Sequence, residues 1–240
     1  MLLRGLNKLT LLDYPGHLAC TAFVGACNFR CPFCHNAPLV LSADTCPPVS
    51  EEEFFSFLKK RRGILEGVCI TGGEPTLQRE LPDFLAKIKE LGFLIKLDTN
   101  GYEPELLELL LNGGYVDMVA MDIKNCPDSY AATVGLPAEH FDISRIFAST
   151  ALLRSSSVPY EFRTTVVKEL HPMECFVKIG EWLAGSSSYF LQQFTAGNQL
   201  ICGDSTQFHA YTDAELHEAA KLLAAYLPNT HVRGDRTATN

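Results

Sequence analysis

Three thiols fall within one ten-residue stretch, Cys27-Asn28-Phe29-Arg30-Cys31-Pro32-Phe33-Cys34-His35-Asn36. Spacings of four and three in one loop allow all three sulfurs to reach a common metal group. A structural zinc ion accepts three cysteines and a histidine. Here, however, the adjacent Cys34 and His35 would have to bind one ion, and the usual second ligand pair further along is missing. An iron–sulfur cluster suits the set better, since thiolates are its ordinary ligands and a four-iron cluster takes four. With three thiolates offered, one iron keeps an open position, as a catalytic metal does for its substrate. The other six of the nine cysteines (Cys20, Cys46, Cys69, Cys126, Cys175, Cys202) are scattered singly. Cys20 and Cys69 fall inside expected strands and read as core residues. One cluster is therefore expected, and an odd cysteine count without an export segment argues against a disulfide scaffold.

Further polar groups need positioning elements. Short β-branched or aromatic runs at Leu18–Val24, Gly67–Thr71, Phe93–Asp98, Val116–Ile123, Tyr160–Val167 and Ser188–Phe194 read as strands. Amphipathic runs at Ser50–Arg62, Arg79–Leu91, Pro104–Leu111, Asp142–Leu153, Pro172–Leu183 and Asp213–Tyr226 read as helices. Ser50 caps a helix opening on three glutamates, and Thr212 or Asp213 caps the last one. The alternation implies an α/β fold with a parallel sheet and right-handed crossovers. Six units suit an open (βα)6 partial barrel or a doubly wound sheet, and pattern alone leaves both open. Gly72-Gly73-Glu74-Pro75, Asp98-Thr99-Asn100-Gly101, Asp122 with Lys124, and Arg163 stand at or near the carboxyl ends of strands. Ligands gather at that edge in either architecture.

The 240 residues are 47% hydrophobic and 20% charged, with net charge −8, which argues against broad binding to nucleic acid or anionic membrane. No apolar run approaches the ~18 residues of a membrane span. The first fifteen residues are interrupted by Arg4, Asn7, Lys8 and Asp13, so a secretory segment is disfavoured and a cytoplasmic location is expected. One domain is expected over 1–240, with its cluster loop at 25–36 and a C-terminal helix near 213–227. For the tail after Pro228, which includes Arg233-Gly234-Asp235-Arg236, a short strand and no structure both remain open.

The CxxxCxxC spacing, with Phe33 before the last cysteine, resembles the radical S-adenosylmethionine (SAM) superfamily, and Gly72-Gly73-Glu74-Pro75 resembles its GGEP motif. Leu97-Asp98-Thr99-Asn100-Gly101, Met121-Asp122-Ile123-Lys124 and Phe162-Arg163-Thr164-Thr165-Val166 resemble signatures of its glycyl-radical-enzyme activases. Thr10-Leu11-Leu12-Asp13-Tyr14-Pro15-Gly16 is most similar to the branch that activates anaerobic ribonucleoside-triphosphate reductase. The resemblance implies a TIM-like partial barrel holding one [4Fe-4S] cluster on Cys27, Cys31 and Cys34. It implies reductive cleavage of SAM and abstraction of a hydrogen atom by the resulting 5′-deoxyadenosyl radical. Gly72, Gly73 and Glu74 would face the SAM ammonium, and Lys124 and Arg163 its carboxylate. Asp98 suits ribose hydroxyls or a cation, and Phe33 suits adenine. For the two basic residues a structural ion pair with Asp122 or Glu161 is the competing reading; for Phe33 it is a core position. Asp98, Thr99 and Asp122 stand where the pyruvate formate-lyase activase holds a monovalent cation. That activase also has a histidine near SAM on its sixth strand, where this chain reads Gln192-Gln193-Phe194-Thr195, so no role is carried over there. His35 and Asn36 match the family's ending of the cysteine motif and suit hydrogen bonding around the cluster.

The function so implied is activation of a glycyl radical enzyme, with a flavodoxin- or ferredoxin-type electron donor. A small-molecule radical SAM enzyme, such as a carboxy-deazaguanine synthase, is the alternative from another class. A non-enzymatic iron–sulfur or zinc protein would leave the SAM-side motifs without a purpose.

Overall fold

The computed structural model describes residues 1–195 and 200–233. Among the described residues eight strands form one sheet in the order β1 to β8. They are β1 (Leu3–Thr10), β2 (Ala19–Val24), β3 (Gly67–Gly72), β4 (Leu94–Thr99), β5 (Met118–Asp122), β6 (Tyr160–Val166), β7 (Tyr189–Gln193) and β8 (Thr230–Arg233). From β2 onward every pairing is parallel, and β1 alone runs antiparallel, against β2. The two edges, β1 and β8, are not paired to each other. The sheet is thus an open partial barrel, which decides between the two architectures that the pattern allowed.

The helices are α1 (Ala37–Leu41), α2 (Glu51–Arg61), α3 (Leu81–Glu90), α4 (Pro104–Asn112), α5 (Tyr130–Thr133), α6 (Ile143–Ser155), α7 (Met173–Leu183) and α8 (Asp213–Ala224). Their buried stripes follow the helical period, as in Leu81, Phe84, Leu85 and Ile88 of α3. The strands they cover are apolar on consecutive residues, such as Val68-Cys69-Ile70 in β3, because both faces are buried. Cys20 and Cys69 are fully buried core residues. Ser50 accepts from the Glu53 amide at 3.1 Å. At the start of α8 Thr212, rather than Asp213, is the cap, and it forms a reciprocal capping box with Glu215. That helix closes at Ala224, short of the expected 227, although Leu227 still packs into the core.

Two features differ from the pattern-based reading, and a third decides what it left open. β1 is a strand although Arg4, Asn7 and Lys8 break its alternation. It is an edge strand whose middle faces solvent, and such edges commonly carry charge. Leu3 anchors it by exchanging backbone hydrogen bonds with Val49. β8 makes the residues after Pro228 a strand, up to Arg233; Gly234, Asp235 and Arg236 lie outside the described residues. Finally, Cys126 and Cys175, solitary in sequence, lie with their sulfurs 2.9 Å apart in the interior. The segment after β5 meets the start of α7 there.

Candidate active site

The loop after β2 carries the thiols, and its entry is strained. Ala26 has φ +67°, a left-handed conformation that costs a non-glycine residue roughly 1–2 kcal/mol. The Ala26 amide donates to Leu39 O at 2.9 Å, and the Arg30 amide to Val134 O at 2.8 Å. Phe29, 2% exposed, inserts beside Tyr102 and Phe141, with ring centroids 5.3 and 6.0 Å away. These anchors fix the loop from both sides.

The glycines of Gly72-Gly73-Glu74-Pro75 serve this loop directly. A β-carbon on Gly72 would lie 2.5 Å from Val24 O, and one on Gly73 would lie 1.9 Å from Ala26 O. Their freedom admits the chain leading to Cys27. Asn36 Nδ2 donates to Gly72 O at 2.7 Å, tying the end of the cysteine motif to the same edge.

Glu74 is 1% exposed. Its Oε1 accepts from the Thr76 amide at 3.1 Å, the Thr76 hydroxyl at 2.6 Å and the Thr99 hydroxyl at 2.7 Å. Its Oε2 accepts from the Asn100 amide at 2.7 Å. Burial pushes its carboxyl upward against those hydrogen bonds. Glu74 therefore joins the ends of β3 and β4, and only Oε2 keeps ready acceptor capacity.

A charge cluster lies between the ends of β4, β5 and β6. Asp122 and Arg163 are register partners on adjacent strands. Arg163 Nε donates to Asp122 Oδ1 at 2.8 Å, and its Nη1 to Asp98 Oδ2 at 3.1 Å. Lys124 Nζ donates to Asp122 Oδ2 at 3.0 Å. Lys96, which the motif reading passed over, donates to Asp98 Oδ1. Its signal was its place two residues before Asp98, on the same face of the strand. Burial disfavours charge on both aspartates, but Arg163 with Lys96 outweighs it at Asp98, and Arg163 with Lys124 outweighs it at Asp122. Both carboxyls are held below the usual carboxylate range. Glu161 pairs instead with Arg233, at 2.8 and 3.0 Å.

Lys96, Glu161 and Arg233 excepted, the charged groups of this cluster face one cavity of about 420 Å³, within the ordinary range of small-molecule sites. Cys27, Cys31, Phe33, Cys34, Gly72, Gly73, Glu74, Asp98, Thr99, Asp122, Lys124 and Arg163 all line it. So do Asn100, Thr165 and Gln192, to which the motifs assign no role of their own. The Asn100 side chain approaches Cys27 Sγ at 3.8 Å and donates to Asn28 Oδ1 at 2.7 Å. Phe33 is 5% exposed and edge-on to His171; it is a core residue that also fronts the cavity.

The donor set fits an iron–sulfur cluster. Three free thiols ring an open space, whereas among the described residues no three His, Cys, Asp or Glu side chains converge on a single ion. Burial pushes the Cys27 thiol up to about 11 and that of Cys31 up to about 12, and raises Cys34 as well. The thiols thus keep their protons until a metal displaces them. The expected cation set is arranged differently. Each carboxylate oxygen of Asp98 and Asp122 already faces a lysine or arginine, and the Thr99 hydroxyl donates to Glu74.

Comparison with known proteins agrees with this geometry. The family model of the Radical SAM superfamily matches residues 21–170. A Methanocaldococcus jannaschii protein provisionally named a glycyl-radical enzyme activating enzyme is 30% identical over 234 residues, 97% of this chain and 95% of its own length. The 7-carboxy-7-deazaguanine synthase of Hyperthermus butylicus is 37% identical over 82 residues, 34% of each chain. Among solved structures, a radical SAM methyltransferase from Sphaerobacter thermophilus superposes with a TM-score of 0.70 at 16% identity, covering 93% of this chain and 68% of its own. Among the described residues no helix is long and apolar enough to cross a membrane.

Proposed function

The chain belongs to the radical SAM superfamily, and on that footing we propose that it activates a glycyl radical enzyme by removing the α-hydrogen of one glycine in a partner protein. The partner we favour is the anaerobic ribonucleoside-triphosphate reductase, on the strength of the Thr10–Gly16 segment. The observation that carries the reading is one cavity lined by three thiols, a glycine edge and a carboxylate–guanidinium cluster. Its near full-length likeness to a protein named as an activating enzyme supports the same reading.

In this reading Cys27, Cys31 and Cys34 hold a [4Fe-4S] cluster. When bound, that cluster supplies the electron for reductive cleavage of SAM. Lys124 and Arg163 face the SAM carboxylate. With Lys96 they give three cations against the two aspartates, so one positive charge is left for the ligand. Glu74 Oε2 and the backbone of the Gly72–Gly73 edge face its ammonium group. Phe33 borders the adenine. Phe29, Cys31 and Phe33, all under 8% exposed, keep water from the thiol side of the cavity, where a reactive carbon radical needs a dry surrounding.

His171 holds Lys124 in place. It is fully buried; its Nδ1 lies 3.0 Å from both the amide nitrogen and the carbonyl oxygen of Val167, and its Nε2 faces Lys124 O at 2.8 Å. A carbonyl only accepts, so Nε2 carries a proton and donates it to Lys124 O. The electron donor is taken to be of flavodoxin or ferredoxin type, and the setting an oxygen-poor cytoplasm.

The second reading, a small-molecule radical SAM enzyme, has the local likeness to the deazaguanine synthase in its favour. Anaerobic reconstitution with iron, sulfide, dithionite and SAM separates the two. We expect 5′-deoxyadenosine by chromatography and, with the reductase present, a glycyl doublet by electron paramagnetic resonance. Failure to form 5′-deoxyadenosine removes the radical enzyme reading. Turnover without a doublet on any glycyl radical protein favours the small-molecule one. Cys31→Ala should abolish the visible absorption of the reconstituted protein, and a retained chromophore would remove Cys31 from the ligand set.

A further inference from the structure

Lys96 is 1% exposed, in the interior of the barrel on β4. A lysine so deep is found almost only when paired, and its ammonium pairs with Asp98 Oδ1. The other Asp98 oxygen takes Arg163 Nη1 at 3.1 Å. Asp122 is closed in the same way, by Arg163 Nε at 2.8 Å and Lys124 Nζ at 3.0 Å. Thr99 Oγ1 donates to Glu74 at 2.7 Å and accepts from the Gly101 amide at 3.0 Å. A monovalent metal ion bound by Asp98, Thr99 and Asp122 would have to push aside a covalently tethered cation. It would also raise the local charge from +1 to +2 in a buried site, where unbalanced charge is costly. A ligand carboxylate does the reverse and brings the cluster to neutrality.

We propose that Lys96 is the built-in counter-cation of the SAM site. It takes the part that resemblance to the pyruvate formate-lyase activase gives to a monovalent metal ion, so that SAM binding needs neither potassium nor sodium. The proposal rests on the radical SAM reading of the cavity. Its physical content is that a cation fixed on β4 is already ordered before the ligand arrives, whereas a free ion would have to be recruited.

The test compares potassium, sodium and tetramethylammonium chlorides at equal ionic strength. For the reconstituted holoprotein, SAM dissociation constants from equilibrium dialysis should agree within about twofold across the three salts. A loss of about tenfold or more in tetramethylammonium, restored by potassium or sodium, would overturn the proposal. Lys96→Met should bind SAM about tenfold more weakly in tetramethylammonium and recover when potassium or sodium is added. Wild-type affinity in that variant without either ion would count equally against the proposal. A third measurement needs no SAM. The unfolding midpoint of the cluster-free wild type should show no saturable rise with potassium or sodium over tetramethylammonium, and such a rise refutes the built-in cation. If SAM binds in none of the salts, the radical SAM reading fails, and the melting comparison still judges Lys96. If Lys96→Met does not fold, the two wild-type measurements decide.

Discussion

Replacing Arg163 with methionine tests the charge cluster most directly, because this one side chain bridges two carboxylates from different strands. Arg163→Met keeps most of the aliphatic stem and removes bonds of 2.8 Å to Asp122 and 3.1 Å to Asp98. Breaking a buried ion pair from one side costs roughly 3–5 kcal/mol, because it leaves an uncompensated charge. Here each aspartate keeps a lysine, Lys96 or Lys124, which puts the expected loss near the lower end, about 3 kcal/mol. For a chain of 240 residues the unfolding entropy is about 0.5 kcal/mol/K, so the midpoint should fall by about 6 °C. Arg163→Lys keeps the charge but reaches only one carboxylate, and about half of that loss is expected. The assay is anaerobic calorimetry of the cluster-free protein, repeated down the acid range. Asp98 and Asp122 are both held below their usual value, with Arg163 first among the charges responsible. A carboxylate depressed in this way contributes stability above its unfolded value, about 3.8, and loses it as pH falls through the folded value. The gap between wild type and Arg163→Met should therefore narrow as pH falls into the acid range, where the variant's aspartates take up protons before those of the wild type. A loss under about 1 kcal/mol, or a gap indifferent to acid, would refute the bridging role.

Three further outcomes are expected. Gly73→Ala places a β-carbon 1.9 Å from Ala26 O and should cost about 3 kcal/mol in urea unfolding and lower the iron bound on reconstitution. Gly63→Ala, with φ +78° but nothing within 4 Å, should cost only about 1–2 kcal/mol and leave iron binding intact; equal effects would contradict the packing argument. Burial lowers the pKa of His171, so below about pH 6.5 the unfolded chain takes up a proton that the folded one refuses. Stability should fall between pH 8 and pH 5.5, by denaturant titration, and His171→Asn should flatten that slope. Thr212→Ala removes the hydroxyl that accepts from the Glu215 amide, leaving only the backbone half of the α8 capping box, and should cost about 1 kcal/mol without changing SAM affinity; a change in affinity would tie α8 to the site.

Much of the scaffold was legible because its signals are local. The six expected strands match β2 to β7 within two residues at each end, since a buried parallel strand must be apolar on both faces. The Ser50 cap likewise needs only its own neighbours. β1 escaped notice because an edge strand with a solvent-facing middle has no apolar alternation to read. The meeting of Cys126 and Cys175 escaped it because 49 residues separate them and neither flanking segment reveals its partner.

The sequence by itself determined the chemistry on offer: three thiols in one loop, a glycine edge, and acids and bases at strand ends. These are facts of residue type and short spacing, which survive any folding of the rest. Only the tertiary structure decided how those groups pair. It set Arg163 between two aspartates 41 and 65 residues away. It turned the glycines toward the backbone leading to Cys27, and it left Glu74 one oxygen with acceptor capacity. It also put Lys96 where resemblance suggested a metal ion. The physical reason is that Arg163 reaches carboxylates on neighbouring strands, and strand register is a property of the whole sheet.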